Sequence, residues 1–260
     1  MTDIQMLKQI IEQAKNIVFF GGAGVSTESG IPDFRGSNGL YTEPDDLRVP
    51  PEKILSIGYF NEFPREFYRY YKKNMIYPNA EPNAAHIALA RLEKEGKLSA
   101  VVTQNIDGLH QKAGSQNVME LHGSCLRNYC VKCSKKYDLD YVLQSDGLPL
   151  CTCGGIVRPD VVLYGEGLDG YTWTRAENAI YNADVLIVGG TSLTVYPAAS
   201  LVDNYRGEHL VIINKSTTPY DRYAQLVIRE PIGETLKRVF DEIETAIKSD
   251  MHFCREAHLL

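Results

Sequence analysis

The sequence predicts an α/β protein: a doubly wound parallel sheet, with a helical insert and a small cysteine-rich module set into it. Three observations carry that expectation. Strand-length runs of Val, Ile and Leu alternate with segments of helical periodicity, the pattern of a parallel sheet covered on both faces. These runs end in glycine or polar residues: Gly21-Gly-Ala-Gly24, Gln104-Asn-Ile-Asp107, Gly189-Gly-Thr-Ser192 and Asn214-Lys-Ser-Thr217. Five of the six cysteines fall within 29 positions, 125 to 153, and interrupt the alternation.

Taken in order, Ile4, Leu7, Ile11 and Ala14 predict a helix over 3–15, before a first strand at Ile17 to Phe20. Residues 37–81 are rich in Tyr, Phe and Pro and read as the helical insert, with most of Phe60, Phe63, Phe67, Tyr68 and Tyr71 as core; a helical layer over a cleft would give the same pattern. Asn83 caps a helix from Ala84 to Glu95 that Gly96 ends. Strands follow at 98–103 and 118–121, then the cysteine module at 124–158. Alternation resumes with a helix near 172–182, a strand at 184–189, a helix from Pro197, and strands at 209–214 and 225–229. The last helix, 232–248, puts Leu236, Val239, Phe240, Ile243 and Ile247 on one face. Segments 1–36, 82–123 and 159–250 therefore make one Rossmann-like domain, and 251–260 a C-terminal tail.

At 260 residues the chain has room for one such domain with a full core. Its 44% apolar and 23% charged content is that of a soluble globular protein. A net charge of −6 argues against nucleic acid as a partner. No apolar run is long enough for a membrane span, and the N-terminus has neither the cationic start nor the apolar core of a signal peptide. A cytoplasmic location and a monomer are expected.

Gly22-Ala-Gly24 supplies two glycines of a dinucleotide fingerprint, but Thr27 stands where the third belongs. On these residues alone an ordinary strand-to-helix turn and a phosphate-approaching loop are equally open. The continuation is unusual: Ser26, Ser29, Asp33 and Arg35 are polar or charged, Pro32 stiffens the chain, and Phe34 stands among them. Ligands of open parallel sheets bind at the carboxyl ends of strands, and four polar loops share that edge. Asn105 and Asp107 in one of them are either an Asx turn or ligand-facing groups. His122 also follows a strand, where an imidazole could serve as a general base near neutral pH; a structural role is the alternative. No acidic residue fills the ribose-binding role that Asp or Glu has in a standard dinucleotide fold, about 20 residues past the glycines, which argues against an ordinary dehydrogenase.

Cys130-x-x-Cys133 and Cys151-x-Cys153, separated by 17 residues, match a closed tetrahedral site for one structural zinc ion. In a reducing compartment a local cluster reads as metal ligands before disulfides. Cys125 reads as a reduced buried thiol and Cys254 as a bystander.

Together these motifs resemble the sirtuins, NAD-dependent protein lysine deacylases, in a minimal bacterial-type form. The matching residues are Gly22 through Gly36, Thr103-Gln-Asn-Ile-Asp107, His122-Gly123, the paired cysteines, Arg158 through Glu166, Gly190-Thr-Ser-Leu193 and Ile213-Asn214. They run in the family's order over about residues 5–245. The resemblance implies NAD, consumed as a co-substrate, on Gly22, Ala23, Gly24, Thr27, Asp33, Phe34, Arg35, Gln104, Asn105, Ile106, Asp107, His122, Gly190, Thr191, Ser192, Asn214 and Ile232. Asp107 would take the nicotinamide carboxamide, and Phe34 would screen the sugar after nicotinamide departs. The acyl-lysine carbonyl oxygen would attack C1′ of the nicotinamide ribose. His122 would then act as base for a ribose hydroxyl, with Asn105 orienting water and ribose; His122, Asn105 and Asp107 are thus the catalytic set. The products would be free lysine, nicotinamide and O-acyl-ADP-ribose. An acetyl-lysine protein or peptide would enter as an extra strand between Gly165-Glu166 and Val195-Tyr196, with Val161 and Tyr164 beside it.

Two departures stand out. Tyr164 occupies a position where most members have Phe. Succinyl- and malonyl-preferring sirtuins carry Tyr-x-x-Arg in the insert, and here Tyr68 is followed by Tyr71. Without the guanidinium an acidic acyl group loses its charge-assisted partner, so neutral acyl groups are expected over succinyl and malonyl. An NAD-dependent oxidoreductase with a structural zinc, a zinc-ribbon binding module, and ADP-ribosyl transfer from the same activated carbon are the competing readings.

Overall fold

In the computed structural model, which describes residues 1–36, 39–41, 49–241 and 243, the strands are β1 (Ile17–Gly21), β2 (Leu98–Thr103), β3 (Val118–Glu120), β4 (Gly123–Cys130), β5 (Lys136–Asp138), β6 (Val157–Val161), β7 (Val185–Gly189), β8 (His209–Ile213) and β9 (Leu226–Ile228). Six form one sheet in the order β3-β2-β1-β7-β8-β9, with every pair parallel. The chain builds outward from β1 to β3, then returns to the other side of β1. The carboxyl ends of β1 and β7 therefore flank the crevice where ligands of such sheets bind. β5, β4 and β6 make a separate antiparallel sheet.

The helices are α1 (Asp3–Gln13), α2 (Pro51–Ile54), α3 (Ile57–Glu62), α4 (Pro64–Asn74), α5 (Ala84–Lys94), α6 (Leu109–Ala113), α7 (Leu139–Gln144), α8 (Gly170–Tyr181) and α9, over 232–241. Side chains alternate across a strand, and β1 shows the consequence. Ile17 and Phe19 enter a core with Leu7 of α1, Leu89 of α5 and Leu236 of α9. Val18 and Phe20 enter the opposite core with Ala176 and Ile180 of α8. Phe19 and Phe20 are fully buried, each worth about 1.5–3 kcal/mol relative to exposure. Thr2 caps α1 reciprocally with Gln5, and Asn83 caps α5, satisfying N–H groups the helices cannot.

A third core joins the insert to the cysteine module: Phe60, Phe67, Tyr68 and Tyr71 pack with Cys125, Val142, Val157 and Leu163. Phe63 is the exception among the five aromatics and is 41% exposed. It is the non-helical junction between α3 and α4, at φ −129° and ψ 57°, so the helical register breaks there. The helix expected from Pro197 is a 3₁₀ segment, Ala198–Asn204. Its three-residue bonds include Ser200 N to Pro197 O and Tyr205 N to Val202 O, a geometry confined to short pieces. Among the described residues no helix is long and apolar enough to cross a membrane. Ile247, Cys254, and the tail lie outside the described residues, as do positions 37, 38 and 42–48 of the insert.

Candidate active site

β1 delivers the chain to the carboxyl edge of the sheet, where neighbouring backbone demands its glycines. A Cβ on Gly24 would lie 2.8 Å from Cα and O of Gly190, and one on Gly22 would lie 2.9 Å from Cβ of Thr191. Gly22 N donates to Gly189 O at 3.2 Å and Gly24 N to Gly190 O at 2.8 Å, so the loops after β1 and β7 interlock. Two 3₁₀ turns follow, Ala23–Val25 and Thr27–Ser29, where a dinucleotide fingerprint would start an α-helix. Thr27, at the missing glycine's place, closes the turn by donating its hydroxyl to Gly24 O at 2.9 Å. Asn83 holds the loop from α5, donating to Val25 O at 2.8 Å and to Ser29 Oγ at 3.0 Å.

The loop after β2 meets this turn. Asn105 Nδ2 donates to Ser26 Oγ at 3.1 Å, and Ser26 Oγ donates to Asp107 Oδ2 at 2.7 Å. Asp107 Oδ1 accepts from Leu109 N at 2.9 Å at the start of α6. The amide and the carboxylate are thus fixed through one buried hydroxyl. Gln104 Nε2 lies 3.3 Å from Thr191 Oγ1, joining this loop to the one after β7. His122 follows β3, with Nδ1 2.9 Å from Gln104 O. A carbonyl can only accept, so Nδ1 carries the proton and the neutral ring keeps its lone pair on Nε2. Burial pushes the His122 pKa down, partly opposed by that carbonyl bond, so the ring is neutral at pH 7.

Leu40 and Tyr41 pair with Asp33 and Phe34: Leu40 N donates to Asp33 O at 2.8 Å and Tyr41 N to Phe34 O at 3.0 Å. Asp33 Oδ1 accepts from Gly36 N at 2.7 Å. Phe34 meets the Tyr41 ring edge-on at 5.7 Å, and the Arg35 guanidinium lies 5.2 Å from the same ring's centroid. The hydroxyl of Tyr41 is 2.9 Å from that of Tyr164; burial first, then this bond, raise the Tyr41 phenol well above its ordinary range. Tyr164 is tied by backbone to the insert, its N to Leu55 O and its O to Ile57 N, both at 3.0 Å.

Gly165 sits at φ +92°, a conformation that favours glycine. The Glu166 carboxylate accepts two bonds from Arg158 at 2.8 Å and one from Leu163 N at 2.9 Å. These hold the Glu166 carboxyl below the usual range. Val161 ends β6 in the third core. Val195 is half-buried and Tyr196 exposed, on the segment after Ser192. Asn214 follows β8 and donates Nδ2 to Ser216 O at 2.8 Å. Ile232 is buried beneath Gly189.

At the far side of the third core, Cys130, Cys133, Cys151 and Cys153 place their sulfurs within 4.8 Å of one another. Separations of 3.5 Å (Cys130 to Cys153), 3.6 Å (Cys133 to Cys151) and 3.4 Å (Cys153 to Cys133) fit four thiolates converging on one tetrahedral ion. The set positions one metal ion, consistent with structural zinc, and with four sulfurs it leaves no open position for catalysis. Cys125 stands apart as a buried free thiol, pushed up to about 12 by burial and then by Asp107.

The profile of the Sir2 family matches residues 22–197. The chain belongs to the Sir2 family. An NAD-dependent protein deacetylase of Clostridium perfringens is 60% identical over 240 residues, covering 92% of this chain and 98% of that protein. One of Cutibacterium acnes is 53% identical, covering 90% and 96%. A solved Sir2 complex with a deacetylated p53 peptide and 3′-O-acetyl ADP ribose superposes with TM-score 0.85 at 40% identity, covering 93% of this chain and 98% of that one. A Sir2–p53 peptide–NAD+ structure gives TM-score 0.82, also at 40% identity, covering 94% and 100%.

Within this Sir2 fold the loops carrying Gly22, Gly24, Gln104, Asn105, Asp107, His122, Gly190 and Thr191 meet at one sheet edge. Asn214 belongs to the next loop along, and Ile232 packs in the core below. The linking hydroxyl of Ser26 and the ring of Tyr41 have no chemical signature in sequence beyond a polar loop and an aromatic. His86 and His110 lie buried with ring centroids 4.7 Å apart. The Asn83-x-x-His86 spacing of a capping box was the available signal for one of them.

Proposed function

We propose that this chain is an NAD-dependent protein lysine deacetylase with His122 as its general base. The observation that carries the assignment is the orientation of His122: Nδ1 is engaged by Gln104 O, burial keeps the ring neutral, and Nε2 is left to take a proton from a ribose hydroxyl. NAD supplies the electrophilic ribose carbon, to which the acyl-lysine oxygen adds as nicotinamide leaves. Asp107, anchored by Ser26 and Leu109 N, orients the nicotinamide carboxamide. Asn105 orients ribose and water from its bond to Ser26. Phe34 and Arg35, held on the Tyr41 ring, cover the sugar and diphosphate.

The peptide pairs by backbone between Gly165-Glu166 and Val195-Tyr196. Tyr68 and Tyr71 are both buried and bring no positive charge to the acyl group, which favours acetyl and longer neutral acyl chains over succinyl. His122→Ala tests the assignment: with NAD and an acetyl-lysine peptide it should form no O-acetyl-ADP-ribose while keeping the wild-type thermal transition. Normal turnover by that variant would contradict the base assignment. Faster turnover of a succinylated than of an acetylated peptide would contradict the acyl preference.

A further inference from the structure

The Tyr41–Tyr164 hydroxyl pair joins two parts of the molecule that are 123 residues apart in sequence, 2.9 Å from oxygen to oxygen. On one side is the loop that carries Phe34 and Arg35; both rest on the Tyr41 ring, one edge-on and one as a cation near its face. On the other side is Tyr164, whose backbone is fixed to Leu55 and Ile57, next to the fully buried Ile54. The anchor is therefore part of a packed core, against which Phe34 also packs, and the hydroxyl pair ties Tyr41 to it.

We propose that Tyr164 is a positioning residue for the NAD half of the site, acting through Tyr41. This rests on the deacetylase reading above, in which Phe34 and Arg35 cover the sugar and diphosphate. Tyr164 holds the Tyr41 hydroxyl and the Tyr41 ring holds Phe34 and Arg35, so part of the cost of positioning these two side chains is met before the ADP-ribose portion binds. A residue on the peptide-side wall thereby sets affinity for the dinucleotide. The alternative role for Tyr164, contact with the acyl-lysine alone, would leave dinucleotide affinity unmoved.

The test is calorimetric titration of ADP-ribose, and separately of an acetyl-lysine peptide, into the full chain and into Tyr164→Phe, Tyr41→Phe and the double variant. Phenylalanine keeps each ring, so only the hydroxyl bond is lost. Each single variant should weaken ADP-ribose binding roughly two- to tenfold, the range for one neutral hydrogen bond. The double variant should be no weaker than either single, because both remove the same bond. Peptide affinity of Tyr41→Phe should match wild type. Unchanged ADP-ribose affinities, losses that add, or a shift confined to the peptide would overturn the proposal. Wild-type protein that binds no ADP-ribose would sink the deacetylase reading along with it; wild-type binding with unmoved variants sinks this inference alone.

Discussion

Lowering the pH from 7 to 5 should destabilise the fold through the histidine pair beneath the Asp107 loop. His86 on α5 and His110 on α6 are essentially fully buried, and three of their four ring nitrogens have no hydrogen-bond partner among the described residues. His86 Nδ1 receives the fourth contact, from Asn83 N at 3.2 Å. Burial holds His86 down to about 4 against the opposing pull of the Asp107 carboxylate. Burial and the adjacent His86 hold His110 down to about 3. Both folded values lie below the ordinary 6.5, so the unfolded chain binds more protons once the pH drops below about 6.5. The stability they contribute is complete above that pH and is lost as the pH falls toward the folded values. Each histidine accounts for up to about 1.4 kcal/mol per pH unit in that window. Between pH 6.5 and 5 this amounts to on the order of 2 kcal/mol per ring, a large share of a domain's usual ~5–15 kcal/mol. Urea midpoints at pH 7, 6 and 5 should fall steeply for wild type and more gently for His110→Phe, whose ring would pack against Phe19, 6.0 Å away. Parallel decline of the two proteins would refute the reasoning.

Three further outcomes follow from the geometry. Metal analysis should find about one zinc per chain, and Cys151→Ser or a strong chelator should remove it and expose residues 124–158 to limited proteolysis. Gly24→Ala should lower stability by about 1–3 kcal/mol, read as a drop in Tm, because its Cβ meets the Gly190 backbone at 2.8 Å. Arg158→Ala should cost about 3 kcal/mol in urea unfolding, since the Glu166 carboxylate loses both 2.8 Å bonds; Glu166→Gln should cost less because it keeps an acceptor for Leu163 N.

Much of the sheet was legible because each strand is a short apolar run with a glycine or polar terminus: Leu98–Thr103 lies where its sequence places it, and Val185–Gly189 differs by one residue. The reason for the glycines was not legible. Gly22 and Gly24 are set by a loop more than 160 residues away, around Gly190, and such a clash has no local signal. Thr27 read as a flaw in a fingerprint, yet its hydroxyl supplies the bond that closes the turn. Ser26 and Tyr41 act through partners 81 and 123 residues distant, so only tertiary structure discloses them. The burial of His110 depends on α6 docking onto α5, which periodicity over the five residues of α6 cannot show.

The transfer of the acyl group from lysine to ADP-ribose is the centre of the account. Mass spectrometry of the wild-type reaction with NAD and an acetyl-lysine peptide measures it directly. The expected result is O-acetyl-ADP-ribose and free nicotinamide in one-to-one ratio with deacetylated peptide. Deacetylated peptide accompanied by free acetate and unconsumed NAD would contradict the account.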